Sequence, residues 1–324
     1  MQSECAVSSD SYEAWKLNSL MVDAIDQAPM MVVPANTFVM GASDYYPEEA
    51  PVRCADVAAF RIDCAPVTNR RFARFVADTG YVTLAERPLD LSHYPGIDPE
   101  RLVPGALVFR APKRGKAVTG FGDWWAYVPG AHWRRPEAQN TVFAGRLDHP
   151  VTCVAFEDAT AFAVWEGKRL PTEAEWECAA RGGIEAATYA WGNELAPGGR
   201  RMANIWHGHF PMVDLRPKGH RTTRVGSFPA NGYGLVDMIG NVWEWTSDWY
   251  RTDAQTVLSP SCCLPPDDSY DPEQPGIRIP RRVLKGGSFL CAENYCARYR
   301  PAARQAQMID TASVHIGFRC AADL

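Results

Sequence analysis

Three stretches of the chain carry apolar residues at helical spacing, with punctuation at both ends. In VTNRRFARFVADTG, Phe72, Phe75 and Val76 form a stripe, Thr68 suits the N-cap and Gly80 closes the run. FEDATAFAVWEGKR carries Phe162 and Trp165 and ends at Gly167. In PTEAEWECAARGG, Thr172 and Glu175 have the spacing of a capping box, and Gly182-Gly183 terminates the helix. Strand-like runs are short. Residues 31–42, MVVPANTFVMGA, read as a strand, a Pro-Ala-Asn turn and a second strand, and RVLKGGSFL and HIGFRCAA are further candidates. Residues 1–28 read as an N-terminal extension with partial helical spacing (Trp15, Leu17, Leu20, Met21, Ile25), and 29–324 as one domain. Residues 251–281, rich in Pro, Asp and Ser, read as a long surface loop. The pattern predicts an α+β chain poor in regular secondary structure, whose loops are fixed by packing.

Composition supports that packing. Eleven tryptophans supply large apolar surfaces, and 324 residues suffice for a substantial core. A net charge of −5 provides no basic field for nucleic acid or anionic lipid. The basic runs KGHRTTR (218–224) and RIPRR (278–282) read as solvated loops. No window approaches the ~18 uninterrupted apolar residues of a membrane span. The N-terminus lacks the basic start and apolar run of an export signal. The ten cysteines are therefore expected in a reducing cytoplasm. Cys5, Cys54, Cys64, Cys153, Cys178 and Cys320 read as free thiols, although the even count leaves a disulfide framework open.

GSFLCAENYCARYR (287–300) holds Cys291 and Cys296, five positions apart. On a strand that offset puts them on opposite faces, and on a helix well apart around the axis. Their sulfurs converge only if the chain turns between them, which Glu293 and Asn294 in AENY permit. Core thiols, a disulfide or redox pair, and a metal site all remain open on spacing. Zinc would want about four ligands. Two thiolates without nitrogen or oxygen partners suit a soft monovalent ion such as Cu(I). Cys262-Cys263 lies in the polar loop, and recruiting it would need a long-range coincidence.

Read together, the flanks resemble one family. KRLPTEAEWECAARGG (168–183), ANIWHGHFP (203–211), NGYGLVDMIGNVWEWTSDWY (231–250), RVLKGGSFLCAENYCARYRPAAR (282–304) and HIGFRCAAD (315–323) occur in this order. They are similar to the formylglycine-generating enzymes, or sulfatase-modifying factors, from near Met31 to the end of the chain. LPTEAEWE and GNVWEW are shared by a wider superfamily, whereas KGGSFLC followed by ENYCARYR is more specific because it carries both thiols.

The resemblance implies a single-domain variant of the C-type-lectin-like fold. It implies an oxidase that uses O2 to convert a cysteine in a Cys-x-Pro-x-Arg motif of an unfolded or nascent sulfatase polypeptide to Cα-formylglycine. Cu(I) would be held by Cys291 and Cys296. Ser288 would lie beside the copper pocket, with Tyr295 on its wall and Arg298 toward the substrate. Arg298, Arg300 and Arg304 could equally pair with buried acids, and Glu86 and Asp123 are candidates to hold the substrate arginine. The resemblance further implies structural Ca2+ at the Asp237 side chain, the Gly240 and Val242 carbonyls and Glu244. A second family calcium uses positions matching Asn204 and Ile205 with a nearby acid. DLRPKGH (214–220) departs from that pattern and leaves only Asp214.

Other classes follow from related folds. A non-catalytic lectin-like module would not need both thiols. An iron-dependent sulfoxide synthase needs two His and a carboxylate to converge, and the seven histidines, His207 and His209 among them, are scattered. The expected form is a monomer that binds neither nucleic acid nor membrane.

Overall fold

The computed structural model describes residues 29–98, 100, 102–112, 118, 120–139, 142, 145–217, 219–252 and 264–324. The 1–28 extension with Cys5, and the Cys262-Cys263 pair, lie outside the described residues. The punctuated stretches are helices: α1 (Asn69–Thr79), α2 (Phe156–Trp165) and α3 (Glu173–Arg181). Thr68 caps α1 by accepting the Arg71 N–H, and Gly80 ends it in the left-handed region. At α3 the capping box is complete. Thr172 Oγ1 accepts from Glu175 N–H at 3.1 Å, and Glu175 Oε2 accepts from Thr172 N–H at 2.8 Å.

The strands sort into four small sheets. β1 (Met30–Val33), β4 (Phe60–Asp63) and β11 (Ala321–Asp323) form an antiparallel set in the order β1-β4-β11. β2 (Asn36–Met40) pairs with β3 (Arg53–Val57), and β5 (Gly105–Phe109) with β6 (Trp125–Pro129). The sheet under the thiols has the order β10-β7-β8-β9, with β7 Trp243–Trp249, β8 Arg281–Lys285, β9 Arg304–Met308 and β10 Ile316–Gly317. β10 runs parallel to β7, and the other pairs are antiparallel.

The two strands within 31–42 thus enter different sheets. HIGFRCAA splits into β10 and β11, joining two sheets. In RVLKGGSFL the strand stops at Lys285 because Gly286 and Gly287 take φ of +92° and +72°. A Cβ at Gly287 would sit 2.7 Å from the Arg298 carbonyl oxygen, so the bare backbone permits that close approach. One expectation is corrected here. Arg281 and Arg282, read as part of a solvated loop, open β8, and the Arg282 guanidinium lies 3.3 Å over the Trp249 ring.

The core is aromatic. Phe72 of α1 stacks on Phe162 of α2 with ring centres 5.8 Å apart, and Trp133, Trp176, Trp243 and Trp245 are fully buried. Threaded through it are buried ion pairs between distant segments. Arg319 grips Glu244 at 2.7 and 2.8 Å, Arg304 grips Glu173 at 2.8 and 3.1 Å, and Lys285 reaches Glu177 at 2.9 Å. Arg300 forks onto Glu49. Removing one partner of such a pair typically costs about 3–5 kcal/mol, because the other is left buried and uncompensated. All seven described cysteines are free. Among the described residues, no helix is long and apolar enough to cross a membrane.

Candidate active site

The chain turns between the two thiols. Cys296 N–H donates to the Ala292 carbonyl at 2.8 Å, and Tyr295 N–H to the same oxygen at 3.1 Å. Asn294 fixes the turn from outside: its Oδ1 accepts Phe210 N–H and its Nδ2 donates to the Phe210 carbonyl, both at 3.1 Å. The turn brings Cys291 Sγ and Cys296 Sγ to 3.3 Å. That is hydrogen-bond range for a thiol and a thiolate, and well beyond the roughly 2.05 Å of a disulfide.

The two sulfurs differ in charge. Burial and the neighbouring sulfur push the Cys291 thiol well up. The two sulfurs share one hydrogen bond, and this bond, helped by the Arg298 guanidinium, brings Cys296 down to about 6. Arg298 Nη1 lies 3.9 Å from Cys296 Sγ. Arg298 is itself held by an ion pair with Glu48 and by the Tyr46 ring, 3.7 Å away. Tyr46 Oη also accepts Ala297 N–H at 3.0 Å. Sequence reasoning named Arg298 but not Glu48 or Tyr46, which lie some 250 residues away along the chain.

Both sulfurs line a cavity of about 250 Å3. Exposed Phe121 and half-exposed Tyr295 form its mouth, and Tyr295 stacks on Phe210 at 4.5 Å. Ser288 lines the cavity. Leu290 N–H donates to its Oγ at 3.2 Å, and the same Oγ is in hydrogen-bond contact with His315 Nδ1 at 3.3 Å. His315 is held neutral because burial drives its pKa down to about 3, and it packs edge-on against Trp125. His315 was missed in the sequence, although HIGFRC had marked its segment. Gln305 and Gln307, alternate residues of β9, also face the cavity. Their signal was two polar side chains at strand spacing.

The other residues singled out in the sequence make the following contacts. Glu86 accepts from Thr83 Oγ1 at 2.7 Å and pairs with His132, and Asp123 accepts Gly120 N–H at 3.0 Å. Arg300 and Arg304 are the structural ion pairs described above. Asp237 and Glu244 converge on Arg319, which spans Glu244 and also donates to the Asp237 carbonyl at 3.3 Å. Glu244 further accepts Trp176 Nε1–H at 2.7 Å. The Asp237 carboxylate accepts Gly226 N–H at 2.7 Å, yet burial still raises its pKa to about 6. Gly240 and Val242 follow it in the same loop. Asn204 and Ile205 are buried, and Asn204 Oδ1 accepts from Arg216 at 3.1 Å. Among the described residues, the group of three His, Cys, Asp or Glu side chains close enough to share an ion is Asp63, Glu166 and Cys320, which Lys168 and Arg71 already bridge.

The donor set at the cavity is therefore two convergent sulfurs, one of them readily ionised. It fits a soft monovalent metal better than zinc or iron.

Comparison with known proteins shows the family of the chain. The profile of the sulfatase-modifying factor enzyme 1-like domain matches residues 19–324. A formylglycine-generating enzyme of Mycobacterium tuberculosis is 52% identical over 294 residues, 90% of this chain and 96% of that one. One from Thermomonospora curvata is 46% identical over 300 residues, 91% of this chain and 93% of that one. Among solved structures, PvdO from Pseudomonas aeruginosa shares the fold with a TM-score of 0.60 at 22% identity, covering 91% of this chain and 94% of that one.

The unequal thiols give a measurable pH dependence. In metal-free protein one thiol of the pair ionises with a midpoint near 6, so iodoacetamide labelling of Cys296 is fast at neutral pH and falls as pH drops through that value. Arg298→Ala removes the stabilising cation, moves the midpoint up and slows labelling near pH 6 by roughly 3- to 10-fold. Peptide mapping of labelled protein reads both. Equal labelling of the two thiols, or a midpoint unmoved by Arg298→Ala, contradicts the arrangement.

Proposed function

The chain belongs to the formylglycine-generating, or sulfatase-modifying factor, enzyme family, and on that premise we propose that it converts a cysteine of a sulfatase polypeptide to Cα-formylglycine, with Cu(I) on Cys291 and Cys296 and O2 as oxidant. The observation that carries this reading is the pair of reduced sulfurs, 3.3 Å apart, on the wall of an open cavity. The reaction removes two electrons and two protons from the substrate's Cβ–SH, exchanges sulfur for a water oxygen and releases hydrogen sulfide. Bound Cu(I) supplies the one-electron chemistry with O2 that side chains lack.

The chain's own groups do the positioning. The Arg298 guanidinium favours an anionic Cys296 sulfur. Neutral His315 hydrogen-bonds the Ser288 hydroxyl and holds it on the cavity wall. The Gln305 and Gln307 amides can donate to and accept from the backbone of an extended peptide. Phe121 and Tyr295 give its side chains an aromatic rim.

Calcium at the Asp237 loop belongs to the same proposal. It is supported by the buried Asp237 carboxylate, which accepts Gly226 N–H at 2.7 Å and precedes the Gly240 and Val242 segment. Glu244 is already spanned by Arg319, so Asp237 is the charged ligand and Glu244 contributes at most a free lone pair.

Turnover tests the function. A synthetic peptide containing Cys-x-Pro-x-Arg, incubated with copper-loaded enzyme in air, should show by mass spectrometry the change from CH2–SH to CHO. Cys291→Ser and Cys296→Ser should each reduce the product below detection. Product formation that survives loss of either thiol would place the chemistry elsewhere. For calcium, EDTA should lower the Tm of the wild type by several degrees and leave Asp237→Asn unmoved; an equal response in both would refute that site.

A further inference from the structure

A second cation-binding constellation lies behind the thiol loop, and a side chain fills it. Asp214 and Arg216 sit two residues apart in DLRPKGH. Asp214 Oδ1 accepts both the Arg216 main-chain N–H at 3.0 Å and its Nε–H at 2.9 Å, while Oδ2 accepts Nη2–H at 2.8 Å. Nη1 donates to Asn204 Oδ1 at 3.1 Å and to the Phe289 carbonyl at 2.9 Å. The guanidinium lies 5.3 Å over the Trp206 ring. Arg216 and Asp214 side chains are only 8% and 9% exposed, and Asn204 is 4% exposed.

A carboxylate, an amide oxygen and a main-chain carbonyl are the oxygen types a hard divalent cation collects. Here they converge on one planar guanidinium, whose charge balances the one carboxylate and whose fork directs a hydrogen bond to each oxygen. The resemblance to the family implies calcium at Asn204 and Ile205, and the residues present do not fit it. The amide oxygen is already taken, and the loop carries a fixed positive charge.

The constellation reaches the active site through two short links. Phe289 lies between Ser288 and Leu290, and its N–H donates to the Asn241 carbonyl at 3.0 Å. Trp206, whose ring lies under the guanidinium, donates its main-chain N–H to the Cys291 carbonyl at 2.9 Å. We propose that Arg216 is a built-in cation, a positioning residue that stands where a divalent ion would otherwise neutralise Asp214, Asn204 Oδ1 and the Phe289 carbonyl. It braces the Ser288–Cys291 segment without a metal at that place.

Arg216→Ala tests this, because it removes the cation and leaves the oxygens. With EDTA present, the variant's Tm should fall by roughly 5–10 °C relative to wild type, the loss expected when a buried carboxylate loses its partner. Added Ca2+ should restore most of that loss, and equilibrium dialysis with radioactive calcium should count one more ion per chain than in wild type. The additional ion should vanish in Arg216→Ala/Asp214→Asn. A purely structural arginine would also lower the Tm but would gain no ion. An unmoved Tm, or a lowered Tm without extra calcium, therefore overturns the proposal. Should Arg216→Ala not fold even in calcium, the count on Asp214→Asn decides. A count equal to wild type supports an internal cation; one ion fewer shows that the wild-type loop binds calcium itself and overturns the proposal.

Discussion

The proposed chemistry depends on one short S···S approach held by a turn in the backbone. The turn is not stable by itself, since a few residues of loop pay the full entropy of ordering. It is pinned from several directions: by Asn294 against the Phe210 backbone, by the close passage of Gly287 under Arg298, and by Tyr46 against Ala297 N–H. The same pins set the electrostatics. Arg298 reaches Cys296 because Glu48 and Tyr46 hold it there, so the segment that fixes the geometry also divides the proton unequally between the sulfurs.

A fold with so little regular structure needs another source of specificity, and buried charge supplies it. Arg319–Glu244, Arg304–Glu173, Arg300–Glu49 and Lys285–Glu177 each join segments far apart in the chain. Desolvation offsets most of the attraction in such pairs. Their effect is to penalise any other arrangement, in which one partner would be buried alone. Arg216 follows the same rule at smaller scale. A fixed cation gathers oxygens from three segments, and the gathered loop happens to carry the thiols.

What was legible in the sequence was local. Thr68, Gly80, Thr172 with Glu175, and Gly182 mark helix ends because caps depend on the nearest few residues. The need for a turn at AENY also followed from spacing, whereas RVLKGGSFL read as one strand and the break at its glycine pair did not. Strand pairing did not. The two strands of residues 31–42 look like one unit yet join different sheets, because their partners are chosen by burial across the whole chain. β7 escaped notice since its first four residues are all buried and show no alternation. The site was half legible in the same way. The thiols, Ser288 and Tyr295 belong to one motif. His315, Gln305 and Gln307 reach the cavity only through sheet register, and Glu48 and Tyr46 arrive from the opposite end of the domain. The acids Asp237 and Glu244 were visible, but the arginine that spans Glu244 was not.

The most direct test of the central claim is a Cu(I) titration against a competing chromophoric chelator, with reduced wild type and the two single serine variants side by side. One ion should bind tightly per wild-type chain, and Cys291→Ser and Cys296→Ser should each weaken binding by orders of magnitude. Weak binding by the wild type, or tight binding that survives either substitution, would mean that the convergent sulfurs do not form the metal site.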